Sequence, residues 1–274
     1  MRIATWNLQG KGGDSAKRLG QTLAEANGAD IALLQEVNPD GFEGFLKAAG
    51  LDWGIHVGLE FPEMLRAVKR ADGPRSVAIA GLGAKPKTFT PFPDVPLPEK
   101  ILATLIEHEG IPITVVAYHA PTGGHGLKKP AQAVRAAQWL KSISPEAAIL
   151  GGDFNTPEHD PVEDSGVRTH WHTGGPTMGT ATGDDVLVGP KPIHHLTDAY
   201  RSWLSSNPSE REAIPVEGPL ATTHVLSRSK TPVRYDQIWL SPQFKVKTVE
   251  HLYDEAIAAG TDHALVIVEA AFAS

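Results

Sequence analysis

Short apolar segments of this chain end, one after another, in a residue that can bind a metal or move a proton. Such segments are typical of buried strands, and ligands of α/β proteins collect where strand ends converge on one crevice. The polar residues are Asn7 after IATW, Glu36 after IALLQ, His119 after ITVVAY, Asp153 and Asn155 after AAILGG, Asp236 within RYDQIWL, and Asp262 and His263 before ALVIVE. We therefore expect these side chains to share one site.

The apolar runs predict strands over residues 2–6, 31–35, 76–80, 101–107, 112–118, 147–151, 235–240, 244–252 and 264–270. Helices are predicted after three start signals, which are Asp14 or Ser15 as a cap, Asn38-Pro39, and Pro130 at the first helical position. The proline-rich stretch 86–98 is interpreted as a surface loop. The strands alternate with helices only in places, a pattern that is compatible with an α/β fold.

The length of 274 residues is compatible with one domain, and the composition is that of a globular protein, with 41% hydrophobic and 21% charged residues. We predict a single domain over residues 1–274, with a long loop-rich insertion at about 156–234. That stretch is rich in Gly, Pro, Thr and His, and long insertions of this kind tend to be functional. The absence of cysteine excludes disulfides, zinc–thiolate sites and cysteine nucleophiles.

The charge balance is mildly acidic, with 25 Lys and Arg against 32 Asp and Glu and a net charge of −7. This charge balance does not favour an extended basic surface for nucleic-acid binding. A local basic groove remains compatible with it. No run approaches the roughly 18 apolar residues of a membrane span, and no signal peptide precedes the first strand. The expected location is cytoplasmic by default, or secreted if a leader has been removed.

The residue types at the strand ends point to metal-assisted hydrolysis. Carboxylates and an asparagine, with no sulfur ligand, suit a hard cation, most naturally Mg²⁺. Histidines beside carboxylates supply the acid and base partners that hydrolysis needs. Taken singly, each residue has a packing or turn role as its simplest explanation, and only the ordered set indicates an active site.

Six motifs, TWNLQG, LLQEV, AYHAP, GGDFNTP, RYDQIWLS and TDHALV, occur in the order found in the endonuclease/exonuclease/phosphatase superfamily, whose fold is that of pancreatic deoxyribonuclease. The chain resembles this superfamily from Thr5 to Val266. Within it, TWNLQG, the Gly-Pro-Arg-Ser-Val segment and HAPTGG resemble the active subunit of cytolethal distending toxins. The resemblance implies a four-layer α/β/β/α sandwich of two packed mixed, mostly antiparallel sheets flanked by helices.

The resemblance also implies a role for each matching residue. Glu36 would bind Mg²⁺ directly, helped by Asn7 and Asp262, with Mn²⁺ or Ca²⁺ able to substitute or assist. Asp153 and Asn155 would position the attacking water and the phosphate. His263 would contact the scissile phosphate while Asp236 holds its imidazole, and His119 would donate to a phosphate oxygen or protonate the leaving group. The general base is left open between Asp153 and His263.

Two positions before strands, Arg75 and Lys100, match phosphate-contacting arginines of the toxin-like branch. Lysine in place of arginine keeps the charge but loses the two-pronged hydrogen bonding. The sequence also departs from the pancreatic-type enzymes, because no glutamate stands near Arg75 and Ser76 to pair with the first histidine. The partner of His119 is therefore unknown at this point.

Two further groups of residues have competing interpretations. Histidines in the run 169–173 and at His194-His195 could chelate a second cation, although exposed loop histidines without such a role are more common. A basic group (Arg66, Lys69, Arg70 and Arg75, with Lys128-Lys129 after His119) could contact a polyanion, although a solvated surface is the default.

Three functions remain open on the sequence. The first is a Mg²⁺-dependent DNA endonuclease of low sequence specificity, which grips phosphates rather than bases. The second uses the same site on phosphomonoesters such as phosphoinositides or other small phosphate esters. The third is a non-catalytic scaffold that binds anions, and the intact set of polar residues argues against it.

Overall fold

The computed structural model describes residues 1–65, 75–92, 94–169, 172–173, 180–181 and 183–273. The strands in chain order are β1 (Arg2–Asn7), β2 (Ile31–Val37), β3 (Trp53–His56), β4 (Ser76–Gly81), β5 (Phe89–Pro91), β6 (Ile101–His108), β7 (Ile111–His119), β8 (Ala148–Asp153), β9 (His172–Thr173), β10 (Thr180–Ala181), β11 (Thr197–Asp198), β12 (His224–Val225), β13 (Pro232–Val233), β14 (Asp236–Leu240), β15 (Phe244–Leu252) and β16 (Leu265–Phe272). The strands predicted from the sequence are all present, with ends that differ by one or two residues.

The α-helices in chain order are α1 (Gly13–Glu25), α2 (Pro39–Ala49), α3 (Val57–Glu60), α4 (Pro62–Leu65), α5 (Lys128–Ser142), α6 (Asp185–Val188), α7 (Ala199–Ser206), α8 (Pro208–Glu212) and α9 (Tyr253–Ala259). Short 3₁₀ turns lie at Pro98–Lys100, Gly123–His125 and Asp164–Gly166.

Two six-stranded sheets form the body of the described structure. The first has the order β15-β16-β1-β2-β4-β3, and the second has the order β11-β14-β8-β7-β6-β5. Each sheet contains one parallel pair, β1 with β2 and β7 with β8, joined by the crossover helices α1 and α5. The remaining neighbours are antiparallel. A parallel pair brings the carboxyl ends of two strands to one edge of its sheet. The candidate site lies at this edge.

Side chains alternate between the two faces of each strand, which creates three apolar layers. Ile3 and Leu33 pack against Ile149 between the sheets. A second layer joins the outer face of the first sheet to α1 and α2, and a third joins the second sheet to α5. The predicted four-layer α/β/β/α sandwich is thereby confirmed.

The sheets approach closely at Gly151 in β8. A Cβ atom there would overlap Cδ1 of Leu33 and contact the Thr5 side chain, both in the first sheet. Glycine is required at this point because the facing side chains occupy the space that any larger residue would need.

Of the three helix starts predicted from the sequence, one is confirmed and two are wrong. Asn38 caps α2 as predicted, because its side chain accepts a hydrogen bond from the Asp40 N–H at 3.0 Å. The predicted cap at Asp14 or Ser15 is wrong, since α1 begins at Gly13 after the extended Gly12.

The predicted start of α5 is also wrong. This helix begins at Lys128, so Pro130 lies at the third helical position rather than the first. Proline fits there because the first four N–H groups of a helix have no partner within it, so its missing N–H costs no hydrogen bond.

The stretch 86–98 is not only a loop, because β5 pairs with β6 at the edge of the second sheet. Pro91 is compatible with this edge position, where its nitrogen need not donate to a neighbouring strand.

The predicted insertion contains α6, α7, α8 and the edge strand β11 within its described part. Its packing depends on Arg234, which is buried and donates to Asp160 and Asp198 at 2.6 Å each. Among the residues that the structure describes, no helix is long and apolar enough to cross a membrane.

Candidate active site

The polar residues at the strand ends come together between the two sheets. Asn7 and Glu36 lie at the carboxyl ends of β1 and β2, and His119 and Asp153 end β7 and β8. Asp236 begins β14, an antiparallel neighbour of β8, and therefore starts at the same edge. His263 precedes β16, which pairs antiparallel with β1 in the other sheet.

Three contacts of the site each join one residue of the first sheet to one of the second. Asn7 Nδ2 donates to Asp153 Oδ2 at 3.1 Å, and Glu36 Oε1 lies 3.8 Å from His119 Nε2. His263 Nδ1 lies 2.9 Å from Asp236 Oδ2. The site is thus formed by the packing of the two sheets and belongs to neither alone.

Asp153 is the centre of the cluster. Its Oδ2 lies 3.7 Å from His119 Nε2 and 3.9 Å from His263 Nε2, so one buried carboxylate faces two imidazoles. Its Oδ1 accepts a hydrogen bond from the Asn155 N–H at 2.9 Å. These contacts fix the orientation of both carboxylate oxygens.

Asn155 lies in a turn that its own contacts hold in a left-handed conformation, with φ of 48°. Its Nδ2 donates to the Ala120 carbonyl at 3.0 Å, and its own carbonyl accepts a hydrogen bond from Lys129 Nζ. Lys129 is buried and lies 3.3 Å from the buried Asp184 of the insertion. The turn is thus tied to α5 and to the insertion. For residues other than glycine, the left-handed conformation costs free energy, and positions that adopt it cluster at functional sites.

The backbone of Glu36 is also in the left-handed conformation, with φ of 49°. The residue lies at an irregularity in the pairing of β2 with β4. Its Oε2 accepts a hydrogen bond from Arg75 Nη1 at 2.9 Å. Gly10 leaves room for this arginine, because a Cβ at Gly10 would overlap the guanidinium group.

Lys100 contacts His119 rather than open solvent. Its Nζ lies 2.8 Å from His119 Nδ1, and both side chains are buried. The same Nζ lies 3.4 Å from His119 Nε2, so the lysine is close to both ring nitrogens. The predicted phosphate-binding role of Lys100 stays a prediction, as does that of Arg75.

His263 is held by its neighbours in a charged state. Burial opposes a charge on the ring, yet the nearby carboxylates of Asp236 and Asp153 outweigh it. Together with the hydrogen bond from the ring to Asp236, they raise the pKa of His263 to about 10. Its backbone carbonyl accepts a hydrogen bond from Trp6 Nε1 at 3.0 Å, which fixes the main chain at this point.

Asp262 is only partly buried, whereas His263 beside it is buried. The Oδ1 atom of Asp262 lies 3.9 Å from His263 Nε2. Two groups among the described residues bring three metal-capable atoms within 4.8 Å of one another, and both contain His263. They are Asp153 with Asp236 and His263, and His224 with Asp262 and His263.

His224, which was not among the predicted site residues, lies within the insertion at the start of β12. Its ring stacks on His263, with centroids 4.4 Å apart and planes at 20°, and its Nδ1 donates to the Asp262 carbonyl at 2.9 Å. No periodicity or motif marks it, because the stacking depends on where the insertion folds back.

Two predictions from the sequence lie wholly or partly outside the described residues. Arg66, Lys69 and Arg70 of the basic group fall in the stretch 66–74, and of the side chains in the histidine run only that of Thr169 is described. His194 is buried and His195 donates to the Glu146 carbonyl, so both have structural contacts.

The chain belongs to the endonuclease/exonuclease/phosphatase family, whose model matches residues 4–263. The predicted superfamily membership is confirmed, and the placement within the toxin-like branch stays a prediction. Members of the family are phosphoesterase and nuclease hydrolases that typically use a divalent metal. No curated protein matches the chain significantly.

The fold is similar to several solved structures. Humanized D. rerio TDP2 has a TM-score of 0.66 at 15% identity, covering 99% of this chain and 98% of that chain. The human Nocturnin catalytic domain with a bound sulfate anion has a TM-score of 0.61 at 21% identity, over 100% and 94%. The endonuclease domain of TRAS1, a telomere-specific non-LTR retrotransposon, has a TM-score of 0.56 at 16% identity, over 100% and 99%.

Proposed function

We propose that this protein is a Mg²⁺-dependent phosphodiesterase, and specifically a DNA endonuclease of low sequence specificity. The observation that carries the proposal is the position of Asp153, whose carboxylate lies between His119 and His263 at 3.7 and 3.9 Å. Two imidazoles and a carboxylate that face one point can bind a phosphate and orient a water molecule against it.

The donor atoms at the site fit a hard divalent cation. Glu36 and Asp262 offer carboxylates and Asn7 an amide oxygen, which are the ligand types that Mg²⁺ prefers. Glu36 is only partly buried, with 26% of its side chain exposed, so its oxygens remain accessible from the crevice. We expect these three residues to hold the metal, which would polarise the phosphate and stabilise the charge on the leaving oxygen.

Asp153 and His263 have different roles in proton transfer and hydrogen bonding. With a pKa near 10, His263 carries its proton at neutral pH and cannot accept one from water. We therefore assign His263 as the donor of an Nε2–H to a phosphate oxygen. Asp153 then remains as the group that accepts the proton from the attacking water, while Asn155 orients the phosphate from the adjacent turn.

Support for a nucleic-acid substrate comes from the fold neighbours. A solved structure of D. rerio TDP2 holds a single-strand DNA product and matches at a TM-score of 0.64 and 14% identity, over 99% of this chain and 98% of that chain. Another similar structure, that of TRAS1, is an endonuclease domain. At these identities the likeness establishes the fold, and DNA as the substrate of this chain is our proposal.

The experiment is a plasmid-relaxation assay with the full chain. We expect Mg²⁺ to convert supercoiled plasmid to nicked circles, and EDTA in excess to stop the reaction. Asp153→Asn and His263→Gln should each lower the rate at least a hundredfold. Lys141→Met, which alters an exposed lysine near the end of α5, is the matched control and should nick at the wild-type rate.

Three results would contradict the proposal in different ways. If plasmid stays intact while a phosphoinositide or another phosphomonoester releases phosphate, the site belongs to a phosphatase. If neither substrate reacts with Mg²⁺, Mn²⁺ or Ca²⁺, the scaffold interpretation replaces catalysis. If activity is present but unaffected by both substitutions, the assignment of the site is wrong.

A further inference from the structure

Thr223 lies in the insertion, immediately before β12, and is fully buried. Its Oγ1 accepts hydrogen bonds from the N–H groups of Tyr235 and Asp236, at 2.8 and 3.0 Å. Its main-chain carbonyl accepts a hydrogen bond from the N–H of Ala264 at 2.7 Å. One buried residue therefore contacts the main chain at Asp236 and also the main chain next to His263.

Asp236 is the first residue of β14, at a point where strand pairing holds it on one side only. Of the described strands, β8 pairs with it on one side, whereas β11 on the other side pairs with β14 only at Trp239 and Leu240. A buried N–H group without an acceptor costs free energy. The Thr223 hydroxyl supplies the acceptor for the Asp236 N–H that a neighbouring strand would otherwise provide.

His263 stands just outside its strand. β16 begins at Leu265, so the pairing of β16 with β1 and β15 does not extend to His263. Trp6 holds the His263 carbonyl from the first sheet, and Thr223 holds the following N–H, that of Ala264, from the insertion. The insertion therefore takes part in placing this histidine.

We propose that Thr223 is a positioning residue that fixes Asp236 relative to His263. These two side chains come from different sheets, yet His263 Nδ1 lies only 2.9 Å from Asp236 Oδ2. Thr223 belongs to neither sheet and holds both main chains, one through its hydroxyl and the other through its carbonyl. For its catalytic meaning the inference rests on the proposed function, but the hydrogen bonds are a property of the folded chain alone.

The hydroxyl is the half of this contact that a substitution can remove. Every residue has a main-chain carbonyl, whereas only threonine and serine carry a hydroxyl oxygen on Cβ, which has two lone pairs for the two N–H donors. Thr223→Val has the shape of threonine without the oxygen, so it loses the bonds to Tyr235 and Asp236. Thr223→Ser loses only a methyl group and keeps those bonds.

Amide hydrogen exchange of the full chain, followed by nuclear magnetic resonance without substrate or metal, tests the contact directly. We expect the Tyr235 and Asp236 amides to exchange slowly in the wild-type chain and in Thr223→Ser, and about tenfold faster or more in Thr223→Val. The amide of Ile149, within β8, reports overall unfolding and corrects for any loss of stability. Fast exchange of the two amides in the wild-type chain overturns the proposal, as does equal exchange in the two variants after this correction.

Kinetics of plasmid nicking separate positioning from a general loss of stability. We expect Thr223→Val to lower kcat about 10- to 100-fold with little change in KM, and Thr223→Ser to keep kcat within about threefold of the wild type. Thr104→Val is the matched control, because Thr104 is also buried and its hydroxyl donates to the Thr88 carbonyl beside the edge pair of β5 and β6. This control should keep the wild-type kcat.

Two kinetic results would overturn the proposal. A serine variant as slow as the valine variant would show that the methyl group of Thr223 matters and its hydroxyl does not. An equal loss of kcat in Thr104→Val would show that the loss of any buried hydroxyl is enough. If no substrate is hydrolysed by the wild-type chain, the exchange measurement still decides the role of Thr223, so the failure of this inference and the failure of the proposed function are distinguishable.

Discussion

Arg75 donates a hydrogen bond to Glu36 while its own side chain lies against the turn at Gly10. The Nη1–Oε2 distance is 2.9 Å, and a Cβ at Gly10 would overlap the guanidinium group. Gly10 also has a positive φ of 67°, and its N–H donates to the Glu36 carbonyl at 2.8 Å. The turn at Gly10 therefore decides where Arg75 can meet Glu36, the expected metal ligand.

We predict that Gly10→Ala impairs the site more than the fold. The new methyl group must displace Arg75 from Glu36, so plasmid nicking should fall at least tenfold. Gly13→Ala is a matched control, because Gly13 also has a positive φ, of 51°, but a Cβ there meets no atom within 4 Å. Both variants should lose about 1 kcal/mol of stability to backbone strain, measured by urea unfolding. Equal activity in the two would contradict the role of Gly10.

Removal of the arginine itself should change metal affinity. A positive charge hydrogen-bonded to Glu36 opposes a cation at the same carboxylate, so we predict that Arg75→Gln binds Mg²⁺ a few-fold more tightly in the absence of substrate. Isothermal titration of the substrate-free protein measures this. Weaker binding would show that Arg75 serves mainly to orient Glu36 for the metal.

Lys129 and Asp184 form a buried ion pair behind the Asn155 turn. Lys129→Met leaves the Asp184 carboxylate buried without this partner, and we predict a loss of about 3 kcal/mol in the free energy of unfolding. The nicking rate should fall as well, because Lys129 Nζ also holds the Asn155 carbonyl. Lys17→Met removes a surface pair with Asp14 and should leave stability unchanged. A stable Lys129→Met variant with wild-type kcat would exclude this link.

The raised pKa of His263 makes a prediction about stability and pH. In the folded protein this pKa is about 10, whereas an unfolded histidine titrates near 6.5. The charged ring therefore contributes its full stabilisation below about pH 6.5, and loses it as the pH rises toward 10. Urea unfolding should show the wild-type advantage over His263→Gln to be large at pH 6 and small at pH 10. An advantage that grows with pH would contradict the charged state.

The strands, and the polar residues that stand at their ends, could be predicted from the sequence because both are local. An apolar run followed by Glu36 or His119 is visible in a few consecutive letters. The contact of Lys100 with His119 could not be predicted, since it depends on the register between β6 and β7. His224 stacks on His263 only because the insertion folds back over the site. The left-handed conformations of Glu36 and Asn155 were equally hidden, because neither residue is a glycine.

Because three pairs of the site each bridge the two sheets, their separations are set by how deeply the sheets interlock. At Gly151 the space between the sheets is small, since a Cβ there would overlap Cδ1 of Leu33 in the facing sheet. A methyl group added there must displace the end of the Leu33 side chain within the apolar layer that the two sheets share. The spacing of the candidate site therefore depends on apolar packing between the sheets as well as on its own polar contacts.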